Sequence, residues 1–122
     1  MSQIFVVSND NADLAAMLGV LANAGYSATG ATTFEEAQQR VVTESPDLVI
    51  ADERLGAFNG LHVLLTARAE RPQTEAIITT PVPNRGLEAD ARSLNVRCIV
   101  KPRSAAEWLG PIASLLPLGR VA

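Results

Sequence analysis

DLVIAD, residues Asp47 to Asp52, sets four consecutive apolar residues between two carboxylates, directly after Pro46. A strand covered on both faces needs an unbroken apolar run of this kind rather than an alternating one, and such strands lie inside parallel sheets packed between helices. Asp52 then stands where the chain leaves the sheet.

On either side of this stretch, apolar runs of strand length alternate with amphipathic runs of helix length, which is the pattern of βαβ units. Gln3 to Val7 predicts β1, and Leu14, Met17, Leu18 and Leu21 predict α1, capped by Asp10 or Asn11 and stopped by Gly25. Tyr26 to Ala31 is a less apolar β2. Thr33-Phe34-Glu35-Glu36 has the form of a capping box, Thr33 and Glu36 each satisfying a free N–H of the other, and opens α2 with Phe34, Ala37 and Val41 on one face. β3 is Leu48 to Ala51. Asp52 to Gly60 reads as a loop, and Leu61, Leu64, Leu65 and Arg68 outline α3 as far as Pro72. Ala76 to Thr80 is β4, ended by Pro81-Val82-Pro83 because proline cannot donate to a ladder. Pro83 to Leu94 carries Gly86 and few large apolar residues, so α4 is expected to be short or mobile. Arg97 to Val100 gives β5. Ser104 to Leu116 gives α5, kinked or split at Gly110-Pro111 and stopped by Pro117.

Composition bounds the rest. The 122 residues, 48% hydrophobic and 19% charged, suit one domain, residues 1–118, with Gly119 to Ala122 as a tail or the start of a linker. No stretch has the roughly 18 apolar residues of a membrane span, and no secretory signal opens the chain, so a cytoplasmic protein without membrane contact is expected. The one cysteine, Cys98, excludes an internal disulfide and a multi-cysteine metal site. A net charge of -3, with the arginines scattered, argues against nucleic-acid binding by this domain. Lys101 is the only lysine.

Right-handed crossovers in a five-stranded parallel sheet give a doubly wound sandwich, and ligands of such sheets bind beyond the C-terminal strand ends. The polar residues there are Ser8, Asn9 and Asp10 after β1, Asp52 after β3, Thr80 after β4 and Lys101 after β5. One cleft can hold them all.

DLVIAD is followed by Leu55 and Gly60, Thr80 ends β4, and Lys101-Pro102 ends β5. In that order and spacing the chain resembles the CheY-like receiver domain of bacterial two-component response regulators over essentially its whole length. The resemblance implies an α/β fold: a three-layer, flavodoxin-like (βα)5 sandwich with strand order 2-1-3-4-5. It implies that Asp52 is the phosphoacceptor, attacking the phosphohistidine of a sensor histidine kinase or a phosphotransfer protein, and that Thr80 and Lys101 contact the phosphoryl group. It also implies Mg²⁺, held by Asp52, an Asn9 oxygen and the backbone carbonyl of Arg54, with Asp10 as a further candidate. The face of α4, β5 and α5 would meet an output domain, a partner protein or a second copy. Such a module is not itself an enzyme.

The departures are as informative. The family has two adjacent acids after β1, and their places fall on Ser8 and Asn9. A unit charge about 4 Å away contributes up to about 4 kcal/mol at an effective dielectric near 20, so neutral residues there predict a weakened metal site. Asp10 comes one residue later, and capping α1 is its alternative task. Pro81, after the expected switch threonine, has no N–H to offer a phosphoryl group. The usual aromatic residue on β5 falls on Cys98, which reads otherwise as a small apolar residue. His62 reads as a solvated helix residue, and Trp108 as either core or partner surface.

Two functions follow. One is a phosphorelay receiver with Asp52 as nominal acceptor and weakened metal-dependent phosphorylation. The other is a phosphorylation-independent pseudo-receiver used as an interaction or dimerisation module, in which Lys101 survives as a salt-bridge partner of Asp52. A flavin site on the same fold is disfavoured, because the loop after β1 lacks a glycine- and hydroxyl-rich phosphate cradle.

Overall fold

A computed structural model describes residues 2–101 and 104–116; the expected tail lies outside them. Five parallel strands, β1 (Gln3–Val7), β2 (Ser27–Ala31), β3 (Leu48–Asp52), β4 (Glu75–Thr80) and β5 (Arg97–Val100), form one sheet in the order β2-β1-β3-β4-β5. The helices are α1 (Asn11–Asn23), α2 (Phe34–Glu44), α3 (Leu61–Glu70), α4 (Arg85–Ser93) and α5 (Leu109–Leu115). The three-layer sandwich and its strand order are those expected.

Alternation along each central strand divides the core in two. Phe5, Val7, Val49, Ala51 and Ile78 pack with α2, α3 and α4, through residues such as Val41, Leu64 and Leu87. Ile4, Val6, Leu48, Ile50 and Ile77 pack with α1, α5 and the turn before α5, through Met17, Leu21, Trp108 and Ile112. Trp108 is therefore core. Side chains of Ser8, Asp52 and Thr79, two residues beyond Val6, Ile50 and Ile77, continue the second face at the sheet's C-terminal edge.

Local sequence accounts for most boundaries. Asp10 caps α1, its Oδ1 accepting from the N–H groups of Ala12 at 2.8 Å and Asp13 at 3.0 Å. Gly25, at φ +100°, ends that helix as expected. Only half of the expected capping box forms on α2. Thr33 Oγ1 accepts from Glu36 N at 3.2 Å, but the Glu36 carboxylate goes to Arg40 at 3.0 Å, a charged partner it meets one helical turn on. α4 is short but formed, because Asn84 caps it at Leu87 N, 3.0 Å, and Leu87 and Ala91 are buried. The last helix is split. A 3₁₀ turn, Ala105–Trp108, precedes α5, so that Pro111 sits in the first α-helical turn, where N–H groups lack intrahelical partners.

The loop from Asp52 to Gly60 contains structure that was not expected. Arg54–Leu55 and Phe58–Asn59 pair antiparallel across Gly56-Ala57, with Gly56 at φ +63°. A Gly-X dipeptide between two apolar residues was the available signal. Phe58, exposed, stacks on Phe34 with ring centroids 4.3 Å apart, and exposed His62 meets the edge of Phe34 at 6.5 Å.

Candidate functional site

The C-terminal strand ends converge on the Asp52 carboxylate. Oδ2 accepts from Ser8 Oγ at 3.1 Å, from the Asn9 backbone N–H at 3.2 Å and from Lys101 Nζ at 3.2 Å. Oδ1 accepts from Thr79 Oγ1 at 2.7 Å and lies 3.1 Å from Lys101 Nζ. Ser8 and Thr79 are buried, whereas Asp52 keeps 15% and Lys101 30% side-chain exposure. The edge of the site opens into a cleft of about 190 Å³ between α1 and the 3₁₀ turn, with Met17, Ile50 and Trp108 among its walls.

Register explains which threonine is present. β3 and β4 pair with Asp52 opposite Thr79, and parallel neighbours in register present their side chains to the same face. The expected contact by Thr80 is thereby corrected. Thr80 faces the other layer, and its hydroxyl donates to the Val82 carbonyl at 2.9 Å. The expected loss at Pro81 is corrected with it, because the residue after Thr79 is Thr80, which has an N–H.

Asp10 takes the alternative task expected of it, its Oδ1 capping α1. Asn9 reaches Asp52 by its backbone N–H, with its side chain exposed. Arg54 pairs with Asn59 in the small hairpin. Lys101 also meets Asp13 on the first turn of α1, its Nζ 3.2 Å from Asp13 Oδ2, a partner that sequence reasoning did not anticipate. Burial opposes the charge of the Lys101 ammonium, but Asp52 and then Asp13 outweigh it and hold its pKa above the usual lysine value. Cys98 carries a thiol whose pKa is raised, first by burial and then by Glu88 and Glu53, as suits a small apolar residue.

These residues do not suit a Mg²⁺ ion, which takes near-octahedral oxygen ligands centred on one or two carboxylates. Oδ2 of Asp52 already accepts three hydrogen bonds, Oδ1 accepts one and lies beside the Lys101 ammonium, Asp10 caps a helix, and Asp13 holds a cation. Among the described residues no group of three or more His, Cys, Asp or Glu side chains could hold a metal ion. The described helices also include none long and apolar enough to cross a membrane.

Similarity to known proteins agrees with the fold. The receiver domain protein (CheY-like) of Methanospirillum hungatei JF-1 superposes with a TM-score of 0.85 at 23% identity, over 93% of this chain and 92% of that one. The non-phosphorylated HemR receiver domain of Leptospira biflexa superposes with a TM-score of 0.87 at 21% identity, over 100% of this chain and 99% of that one. The response regulator TrrA of Thermotoga maritima, solved in complex with Mg²⁺ and BeF, gives 0.82 at 25% identity, over 95% and 100%. No curated protein sequence matches the chain. The family model described as the response regulator receiver domain matches residues 4–109, the stretch that builds all five strands and delivers Ser8, Asp52, Thr79 and Lys101 to one edge. By that match the chain belongs to the response regulator receiver domain family.

Proposed function

We propose that the chain is a phosphorelay receiver whose acceptor is Asp52 and whose phosphorylation is slow and little helped by metal. The observation that supports this reading is the meeting of Asp52, Thr79 and Lys101: a carboxylate nucleophile with a hydroxyl donor and an ammonium within 3.2 Å. An Asp52 oxygen attacks the phosphorus of a histidine-borne phosphoryl group. The new P–O bond makes an acyl phosphate as the P–N bond breaks, and the histidine leaves with the bonding pair and takes up a proton. Lys101 offsets the charge of the transferred group, and Thr79 donates to it.

The rate is limited by the same contacts. Four hydrogen bonds and the Lys101 ammonium surround the carboxylate oxygens, so one of these contacts must give way before an oxygen can attack. The module is a cytoplasmic signalling element rather than an enzyme. A kinase or phosphotransfer protein acts on Asp52, and the α4, β5 and α5 face meets an output domain, a partner or a second copy.

One observation favours a second reading, a pseudo-receiver that never takes a phosphoryl group: the Asp52 oxygens are as fully occupied as those of a structural ion pair. Incubation with a small phosphodonor separates the two. The first reading expects one added phosphoryl mass in the wild type and none in Asp52→Asn. No added mass in either leaves the second.

A further inference from the structure

Five residues close a ring at the C-terminal edge of the sheet. Ser8 Oγ donates to Asp52 Oδ2 at 3.1 Å, and Asp52 holds Lys101 at 3.1 Å. Lys101 Nζ donates to Asp13 Oδ2 at 3.2 Å; the Asp13 N–H donates to Asp10 Oδ1 at 3.0 Å; and the Asp10 N–H returns to Ser8 Oγ at 3.3 Å. Ser8 Oγ also lies 3.4 Å from the Asp10 carbonyl, but its single proton goes to the nearer, charged acceptor. Every link is a donor facing an acceptor. The ring ties β1, the start of α1, β3 and the end of β5 into one unit.

Charge within the ring is arranged around Lys101. Its ammonium lies between two carboxylates on different elements, where an ion bridging them would otherwise have to sit. Asp13 is fixed for this task from behind, because its own N–H is held by the Asp10 cap. A serine, unlike an acid, can donate to Asp52 and accept from Asp10 at once.

We propose that Lys101 is the resident cation of this site in place of a divalent metal, and that Asp13 is the positioning residue that holds it there through the Ser8, Asp10, Asp13, Lys101 and Asp52 ring. The proposal deepens the reading above by naming the cation of the same site. It is tested without a phosphodonor, so its failure is distinct from a failure of phosphorylation.

Because Lys101 is the chain's one lysine, its reactivity is read as acetylation by acetic anhydride, followed at the Lys101 peptide by mass spectrometry. Asp13 is 56% exposed, so its share is modest. Asp13→Asn is expected to acetylate about two- to fivefold faster than wild type, the range of an exposed ion pair, and Asp13→Glu to restore the slow rate. Unchanged thermal midpoints show that the fold is kept, and a fold loss without the Glu rescue would overturn the positioning role. Millimolar Mg²⁺ is expected to leave the wild-type rate unchanged. Equal rates in wild type and both variants, or a rate that climbs with Mg²⁺ as metal displaces the lysine, would overturn the proposal.

Discussion

Thr79 donates its hydroxyl to Asp52 Oδ1 at 2.7 Å, while its neighbour Thr80 donates to the Val82 carbonyl at 2.9 Å on the opposite side of the sheet. Two adjacent, equally buried threonines thus have separate tasks. Thr79→Val removes a hydrogen bond to a charged group, expected to cost about 1.5–3 kcal/mol, whereas Thr80→Val removes a neutral one, about 0.5–1.5 kcal/mol. Urea unfolding of the two variants measures the difference; equal costs would show that the register argument is wrong.

Gly60 closes the loop that carries the acceptor. A Cβ built there would lie 2.0 Å from the Asp52 carbonyl oxygen and 3.0 Å from its carbonyl carbon, both backbone atoms that cannot rotate away. Gly60→Ala is expected to cost upwards of about 3 kcal/mol and to shift the Asp52 amide resonance, since the small hairpin must move to make room. A variant as stable as wild type, with that resonance in place, would contradict the close approach.

Asp47 makes stability depend on pH. Its carboxylate accepts from the Gln3 N–H at 2.8 Å and from Arg71 at 2.7 Å, and these, the Gln3 bond foremost, hold its pKa below the usual value against the opposing effect of burial. A depressed native pKa means that the unfolded chain binds the proton first. The contribution is complete above the unfolded value, near about 3.9, and disappears as pH falls through the lower native one. The stability gap between wild type and Asp47→Asn should therefore close between about pH 5 and about pH 2. A gap of constant size across that range would rule out the linkage.

Restoring the acids should restore the metal. Ser8→Asp with Asn9→Asp places two carboxylates beside Asp52 and replaces a donor by a repelling charge. The double variant should bind Mg²⁺ at least about tenfold more tightly than wild type, as calorimetry or the fluorescence of Trp108 in the cleft wall would report, and should be less stable without it. Unaltered affinity would mean that the neutral side chains at 8 and 9 are not what weakens the metal site.

Much of this was legible in the residues. The run from Leu48 to Ala51, bounded by Pro46 and the polar loop after Asp52, reads as a doubly covered strand, and it places Asp52 where the chain leaves the sheet; Lys101, after the last apolar run, goes to the same edge. The choice between Thr79 and Thr80 was not legible from β4 alone, because both fit a strand end and a slip of one residue turns a side chain to the other layer. The in-register pairing of Asp52 with Thr79 decides it. Asp13 was hidden for another reason: a first-turn acid is ordinary on any helix, and only the approach of β5 to α1 gives it a lysine. The neutral residues at 8 and 9 were visible from the start as an anomaly. The structure adds that the Ser8 hydroxyl donates to Asp52 where an acid would repel it.

The most direct measurement is the rate at which a small phosphodonor adds a phosphoryl mass to the wild-type chain, followed with millimolar Mg²⁺ and again with a chelator, beside Asp52→Asn. The account predicts slow addition at Asp52 at the same rate in both conditions, and none in the variant. A rate that climbs with Mg²⁺ and saturates, or a wild type that gains no mass at all, would contradict it.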